Sequence, residues 1–191
     1  MIEKHEFKGE HDGLSLLVLA AVHGNETAGT QACRRIIDEI ERGALALKNG
    51  KMTLVPVCNP EAYRRDVRNI DENLNRVMTV HDNPRSYEQK LANEICPLIR
   101  EHRFTLDLHS THCVGDVPFA FCDYPDVYNQ KLIDALPVDF VLEGWPFTAG
   151  RPKSAIFPPN GAPMRTAIRP RLWSAAITGI RRRPDWLTGR S

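Results

Sequence analysis

Several large classes are excluded by what this sequence lacks. No uninterrupted apolar run approaches the roughly 18–20 residues of a membrane span. The first ten residues, Met1 to Glu10, are charged rather than apolar, so they do not read as a targeting segment. The expectation is a soluble, cytoplasmic chain. Its five cysteines (Cys33, Cys58, Cys96, Cys113, Cys122) are odd in number, scattered and without a C-x-x-C pair. That argues against a disulfide framework and against a thiolate zinc site, and they read as small buried side chains. No repeat or coiled-coil pattern is present, so the 191 residues are expected to form one α/β unit with a substantial core.

What is present is uneven. The net charge of +1 hides a break near Gly150, because residues 1–150 carry 16 Lys or Arg against 23 Asp or Glu, whereas residues 151–191 carry nine against one. Six prolines also crowd this second part. No helical or alternating period persists there, and only Leu172 to Ile180 is apolar enough to dock. The chain is therefore divided into a domain over 1–150 and a basic, proline-rich tail over 151–191, out of frame or disordered.

Residues 14–22 are apolar at every position except Ser15, the pattern of a strand covered on both faces. Glu26 to Arg42 repeats apolar residues at helical spacing, with Gly43 as its stop. Met52 to Cys58 reads as a second strand, with Pro56 near its end or at a bulge. Asn59 to Asn83 is polar and turn-rich, and a long structureless connection in a compact domain is more often functional than a spacer. Ser86 to His102 is helical by pattern, although Pro97 should kink it or shift its boundary. Phe104 to His109, Phe119 to Cys122 and Phe140 to Leu142 read as strands, and Asp126 to Leu136 as a helix. Such alternation implies a three-layer αβα sandwich around a central, mixed but largely parallel sheet, with ligands at the carboxyl ends of its strands.

The chemistry concentrates at those ends. His23-Gly24-Asn25-Glu26 follows the first buried strand directly, and a strand passing through a tight turn into a helix aims the imidazole and the carboxylate at one point. Asp107-Leu108-His109 closes a later strand, so His109 also lies at a carboxyl end. If the two strands are neighbours, His23, Glu26 and His109 form a set that leaves zinc a fourth position open, as a catalytic site does. Asp107 shares a face with His109 and is a candidate outer carboxylate. In the long loop, Asn75 and Arg76 place an amide beside a guanidinium, which together can grip a carboxylate. Arg68 could reach a carbonyl oxygen and stabilise the oxyanion. Each residue alone also has a plain reading: a surface turn, a hydrogen-bonded strand-end histidine, a solvated loop arginine.

Together, His-Gly-Asn-Glu after a buried strand, Asn59-Pro60, Asn73-Leu74-Asn75-Arg76 and Asp107-Leu108-His109 resemble the succinylglutamate desuccinylase and aspartoacylase family, over about residues 14–145. The resemblance implies a zinc carboxypeptidase-like fold. It implies one Zn²⁺ on His23, Glu26 and His109, Arg68 as oxyanion partner, and Asn75 and Arg76 as binders of a substrate carboxylate. The implied reaction is hydrolysis of the amide of a small N-acyl amino acid. A metallocarboxypeptidase acting on peptides would share these groups. A non-catalytic remnant whose Arg181-Arg182-Arg183 contacts nucleic acid is a third reading, without interleaved aromatics to support it.

The resemblance also exposes a gap. The family places a proton-transferring Glu on a later strand, in a Val-Glu-Cys-Gly-like motif, and downstream of His109 this chain has only Glu143, in a Val-Leu-Glu-Gly context that fits an earlier segment. Glu143 is thus a weak candidate base, and loss of the base would leave activity impaired. The tail is expected to lie outside the family's reading frame, with the switch near Phe147 to Arg151. Reading each third base with the next codon's first two lets Leu172-Trp173-Ser174-Ala175-Ala176-Ile177 encode Val-Glu-Cys-Gly-His, since the last G of the tryptophan codon and an AG serine codon spell Glu. Loss of the family's later strands would leave the sheet with an exposed edge. Sequencing the gene checks this. The shifted frame is expected to run through Glu-Cys-Gly into an ordinary domain end, and a frame closed before that motif refutes the shift.

Overall fold

The computed structural model describes residues 1–110, 118–122, 127–138, 140–143 and 174–175. Its elements are β1 (His5–Lys8), β2 (His11–Ala20), α1 (Ala28–Glu41), β3 (Asn49–Val55), α2 (Pro60–Arg64), a 3-10 turn (Leu74–Arg76), α3 (Tyr87–Glu101), β4 (Phe104–Leu108), β5 (Phe119–Cys122), α4 (Val127–Asp134), β6 (Phe140–Glu143) and β7 (Ser174–Ala175).

The apolar run of β2 takes the centre of a five-stranded sheet of order β1-β3-β2-β4-β7, in which only β1 runs antiparallel to its neighbour. Alternation of side chains across β2 then feeds two cores. Leu17 and Leu19 pack with Leu91, Ile95, Cys96 and Ile99 of α3, while Val18 and Ala20 pack with Cys33 and Ile37 of α1. Helices thus cover both faces, giving the αβα sandwich. Each such fully buried Leu or Ile contributes about 1.5–3 kcal/mol. β5 and β6 form a separate parallel pair in which Cys122 faces Glu143.

Element boundaries moved for identifiable reasons. β2 stops at Ala20, not residue 22, because Ala21 adopts a positive φ of 46°, the left-handed region that ends a strand. The first helix begins at Ala28 instead of Glu26, whose N–H closes a turn onto the His23 carbonyl at 3.1 Å. β3 starts earlier and ends at Val55, just before Pro56, which has no N–H to give to a ladder. Pro97 neither ends nor shortens α3; it lies on the exposed side, where the carbonyl it leaves without a donor can face water.

β1 was not anticipated from its charged sequence, since an edge strand needs only one covered face. Nor is the stretch from Asn59 structureless. Asn59 caps α2 by accepting from the Ala62 N–H at 3.2 Å, with Pro60 in the first turn, the Asn-Pro start that suits a helix. The tail lies outside the described residues except Ser174 and Ala175, which pair with Asp107 and Leu108. The β4 edge is therefore covered at these two positions, where an exposed edge was expected.

The carboxyl ends of β2, β3 and β4 meet at one edge, and the chain leaving β2 packs tightly there. A Cβ on Gly24 would stand 2.1 Å from the Ala62 carbonyl carbon, while the Gly24 N–H donates to the Arg68 carbonyl at 3.1 Å. Gly24→Ala is expected to cost at least about 1–3 kcal/mol, the usual penalty of overpacking, read as a fall in the urea midpoint. An unchanged midpoint would show that this junction is loose.

Candidate metal and substrate site

Parallel pairing of β2 with β4 sets Leu19 beside Asp107 and Ala20 beside Leu108, so the residues that follow each strand emerge together. The His23 and His109 ring centroids are 5.0 Å apart. Glu26 lies between them: Oε1 is 2.8 Å from His23 Nδ1 and Oε2 is 2.8 Å from His109 Nδ1. One donor atom from each of His23, Glu26 and His109 falls within 4.8 Å of the others. Gly29 lets α1 approach at this point, since a Cβ there would lie 2.7 Å from Leu108 Cβ.

Both imidazoles turn Nδ1 inward and Nε2 outward. His23 Nε2 faces Asn73 Oδ1 at 3.1 Å, and His109 Nε2 faces Asp107 Oδ2 at 2.8 Å. An oxygen acceptor on the outer nitrogen is the arrangement that fixes ring orientation in metal-binding histidines. Arg68 Nη1 donates to Glu26 Oε1 at 2.9 Å with its side chain half exposed, and the Ser110 N–H donates to Oε2 at 3.2 Å. Asn75 Nδ2 stands 3.4 Å from His109 Nε2. Arg76 is exposed at the end of the 3-10 turn. Arg68, Asn75 and Asp107 thus gather around the three residues, with Arg76 on the same turn.

Glu143 is described only by its backbone. It ends β6, opposite Cys122 in the two-stranded sheet. Among the described residues, Glu26 and Asp107 are the carboxylates in contact with the two imidazoles.

Electrostatics follow from burial. Burial by itself would raise the Glu26 pKa, but the hydrogen bonds and charges of His109 and His23 outweigh it and hold the carboxyl far below its ordinary range. For His109, burial favours the neutral ring, yet Asp107 and then Glu26 push its pKa up to about 10. Cys33 and Cys96 are driven by burial up to about 12 and about 11, and Cys58 well above its ordinary value. These thiols stay protonated and inert, as the scattered cysteine pattern suggested.

In the sequence Asn59 and Asn73 stand only as members of the Asn-Pro and Asn-Leu-Asn-Arg motifs, without a role of their own, and nothing singles out Glu88. Asn73 shares the Asn-Leu-Asn-Arg run, and its cap on the 3-10 turn, through the Asn75 N–H at 3.0 Å, was the available signal. Glu88, fully buried on α3, has no sequence signature.

The Succinylglutamate desuccinylase/Aspartoacylase catalytic domain family matches residues 12–143. The chain belongs to this family. A succinylglutamate desuccinylase of Pseudomonas fluorescens is 36% identical over 85 residues, covering 44% of this chain and 25% of that protein. One from Vibrio vulnificus is 29% identical over 135 residues, covering 66% and 38%. Among solved structures, an aspartoacylase family protein of Mesorhizobium loti superposes with a TM-score of 0.61 at 25% identity, over 74% of this chain and 47% of that one. The succinylglutamate desuccinylase of Chromobacterium violaceum gives 0.61 at 24% identity, over 73% and 48%, a likeness of fold. The chain spans between a quarter and two fifths of the length of these curated relatives. Among the described residues no helix is long and apolar enough to cross a membrane.

The two shifted groups set a pH dependence for the metal-free protein. Glu26, with its folded pKa depressed, stabilises the fold above about pH 4.5, and this is lost on acidification. His109, with its folded pKa raised, stabilises it fully below about pH 6.5, and this is lost as the pH climbs toward 10. Urea unfolding of chelator-treated protein should therefore show stability declining from about pH 6.5 to 10, and Glu26→Gln should flatten that decline. An equally steep alkaline decline in both Glu26→Gln and Asp107→Asn would place its origin outside His109 and its two carboxylates.

Proposed function

We propose that this chain binds one zinc ion through His23, Glu26 and His109 and hydrolyses the amide of a small N-acyl amino acid. The observation that carries the reading is the buried His/Glu/His set, with donor atoms within 4.8 Å, on a chain of the desuccinylase/aspartoacylase family. The donor chemistry fits zinc: two imidazoles and a carboxylate, with each outer imidazole nitrogen already facing an oxygen. Zinc there supplies Lewis acidity, polarising an acyl carbonyl and acidifying water.

The chain's own groups do the rest. Arg76, exposed on the same 3-10 turn as Asn75, takes the amino-acid carboxylate through its planar fork, and Asn75 adds an N–H donor. Arg68, half exposed and already directed at Glu26, donates to the carbonyl oxygen as negative charge develops on it. Asp107 holds the His109 ring. What the described residues do not supply is a free carboxylate to carry a proton to the leaving amine. A missing general base is worth about 10²- to 10⁴-fold, and turnover is proposed to be impaired by that order. Glu143 remains the only downstream glutamate and a poor candidate for the task.

Metal analysis of purified protein is expected to give one zinc per chain, and His109→Ala should lose it. Zinc retained at full stoichiometry in that variant would refute the ligand set. Because His109 is protonated in the metal-free form, zinc uptake should release about one proton near neutral pH and strengthen with pH, measured by calorimetry in buffers of different ionisation heat. Residual hydrolysis should favour N-succinylglutamate or N-acetylaspartate over short peptides, and the reverse preference would select the carboxypeptidase reading. Arg76→Ala is expected to raise KM about tenfold with kcat nearly held, and Arg68→Ala to lower kcat about 10²-fold or more.

A further inference from the structure

Glu88 lies in the first turn of α3, is fully buried, and touches none of the residues assigned to metal or substrate. Its Oε1 accepts from the Ile70 N–H at 2.7 Å and from Asn59 Nδ2 at 3.1 Å. Its Oε2 accepts from the Asp71 and Glu72 N–H groups, both at 3.1 Å. Three successive backbone N–H groups thus close on one anion, the concavity that main chain offers to phosphates and carboxylates, and here a carboxylate of the same chain fills it. Burial alone would raise the Glu88 pKa, but the three amides and Asn59 bring it below its ordinary value, so the group is ionised.

The clamped amides lie in the middle of the segment that meets the cluster. Two residues before them, Arg68 holds Glu26 through its guanidinium and the Gly24 N–H through its carbonyl. One residue after them, Asn73 faces His23 Nε2, and Asn75 approaches His109. The fourth donor, Asn59, is fixed at the end of β3 by its own N–H, which donates to the Ala21 carbonyl at 3.1 Å. One carboxylate therefore ties α3, the exit of β3 and the segment 68–76 at a single point.

We propose that Glu88 is a positioning residue that holds Arg68, Asn73 and Asn75 in register with His23, Glu26 and His109. Its effect falls on binding of the substrate carboxylate and on His23 orientation, with metal stoichiometry left intact. The substrate part rests on the hydrolase reading; the loop part does not.

Glu88→Gln tests this nearly isosterically, since an amide NH2 in either orientation faces two N–H donors where an oxygen accepted them. The zinc-loaded variant should fold and keep one zinc per chain. Hydrogen exchange at the amides of Ile70, Asp71 and Glu72 should accelerate by about tenfold or more, while amides of β2 keep their protection, because each bond lost is one to a charged group. The His23 Nε2–H resonance should shift or broaden, and KM or the Kd for N-acetylaspartate should rise more than kcat falls. Glu88→Asp, which keeps the charge, should restore part of each effect. Exchange unchanged at 70–72, or faster throughout β2 with the His23 signal unmoved, would overturn the proposal and leave Glu88 an ordinary buried polar group. If the parent protein binds no N-acyl amino acid, the hydrolase reading fails, and the exchange and His23 measurements still decide the role of Glu88.

Discussion

A single buried carboxylate placed between two imidazoles is the interaction from which the rest of this structure follows. Glu26 is 5% exposed, and its ionised form is tolerable only because His23, His109, Arg68 and the Ser110 amide all point at it. Burying such a charge without these partners would cost several kcal/mol. The same requirement brings together three distant parts of the chain, and it leaves two inward-facing nitrogens and two carboxylate oxygens around one point. Charge compensation and a donor set that could hold a metal ion share one geometry here.

The scaffold meets this demand with rigid parts first. Two parallel strands, β2 and β4, fix the distance between the histidines through their ladder, and helices on both faces bury the apolar residues that hold the strands in place. The loop after β3 is less regular but no less determined. It is pinned by Asn59, by the Gly24 contact with α2, by the Asn93 amide on the backbone of His81, and by Glu88. Polar groups do for this loop what apolar packing does for the sheet. The consequence is specificity of position, since hydrogen bonds tolerate less displacement than hydrophobic contacts do.

Legibility tracked the kind of physics involved. Buried strands and amphipathic helices announce themselves by periodicity, so β2, α1, α3, β4, β5 and β6 were readable as elements, though not the separate pairing of β5 with β6. Errors at element ends came from local backbone facts: the positive φ of Ala21, the missing N–H of Pro56, the recruitment of Glu26 into the site instead of the helix. β1 was unreadable because a charged edge strand carries almost no hydrophobic signal. Glu88 was unreadable for a deeper reason, as a carboxylate at a helix start is commonplace on a surface and only its neighbours in space make it central.

By itself the sequence determined the fold class, the family and the residue types available for chemistry, because these depend on patterns along the chain and on short motifs at strand ends. The convergence of His23, Glu26 and His109, the outward acceptors Asn73 and Asp107, and the clamp at Glu88 were decided only by the tertiary structure. The reason is that strand order and loop path are set by which distant surfaces bury one another, and the amides that gather around a carboxylate are main-chain groups. Every residue but proline carries such a group, so no sequence motif marks the ones that converge.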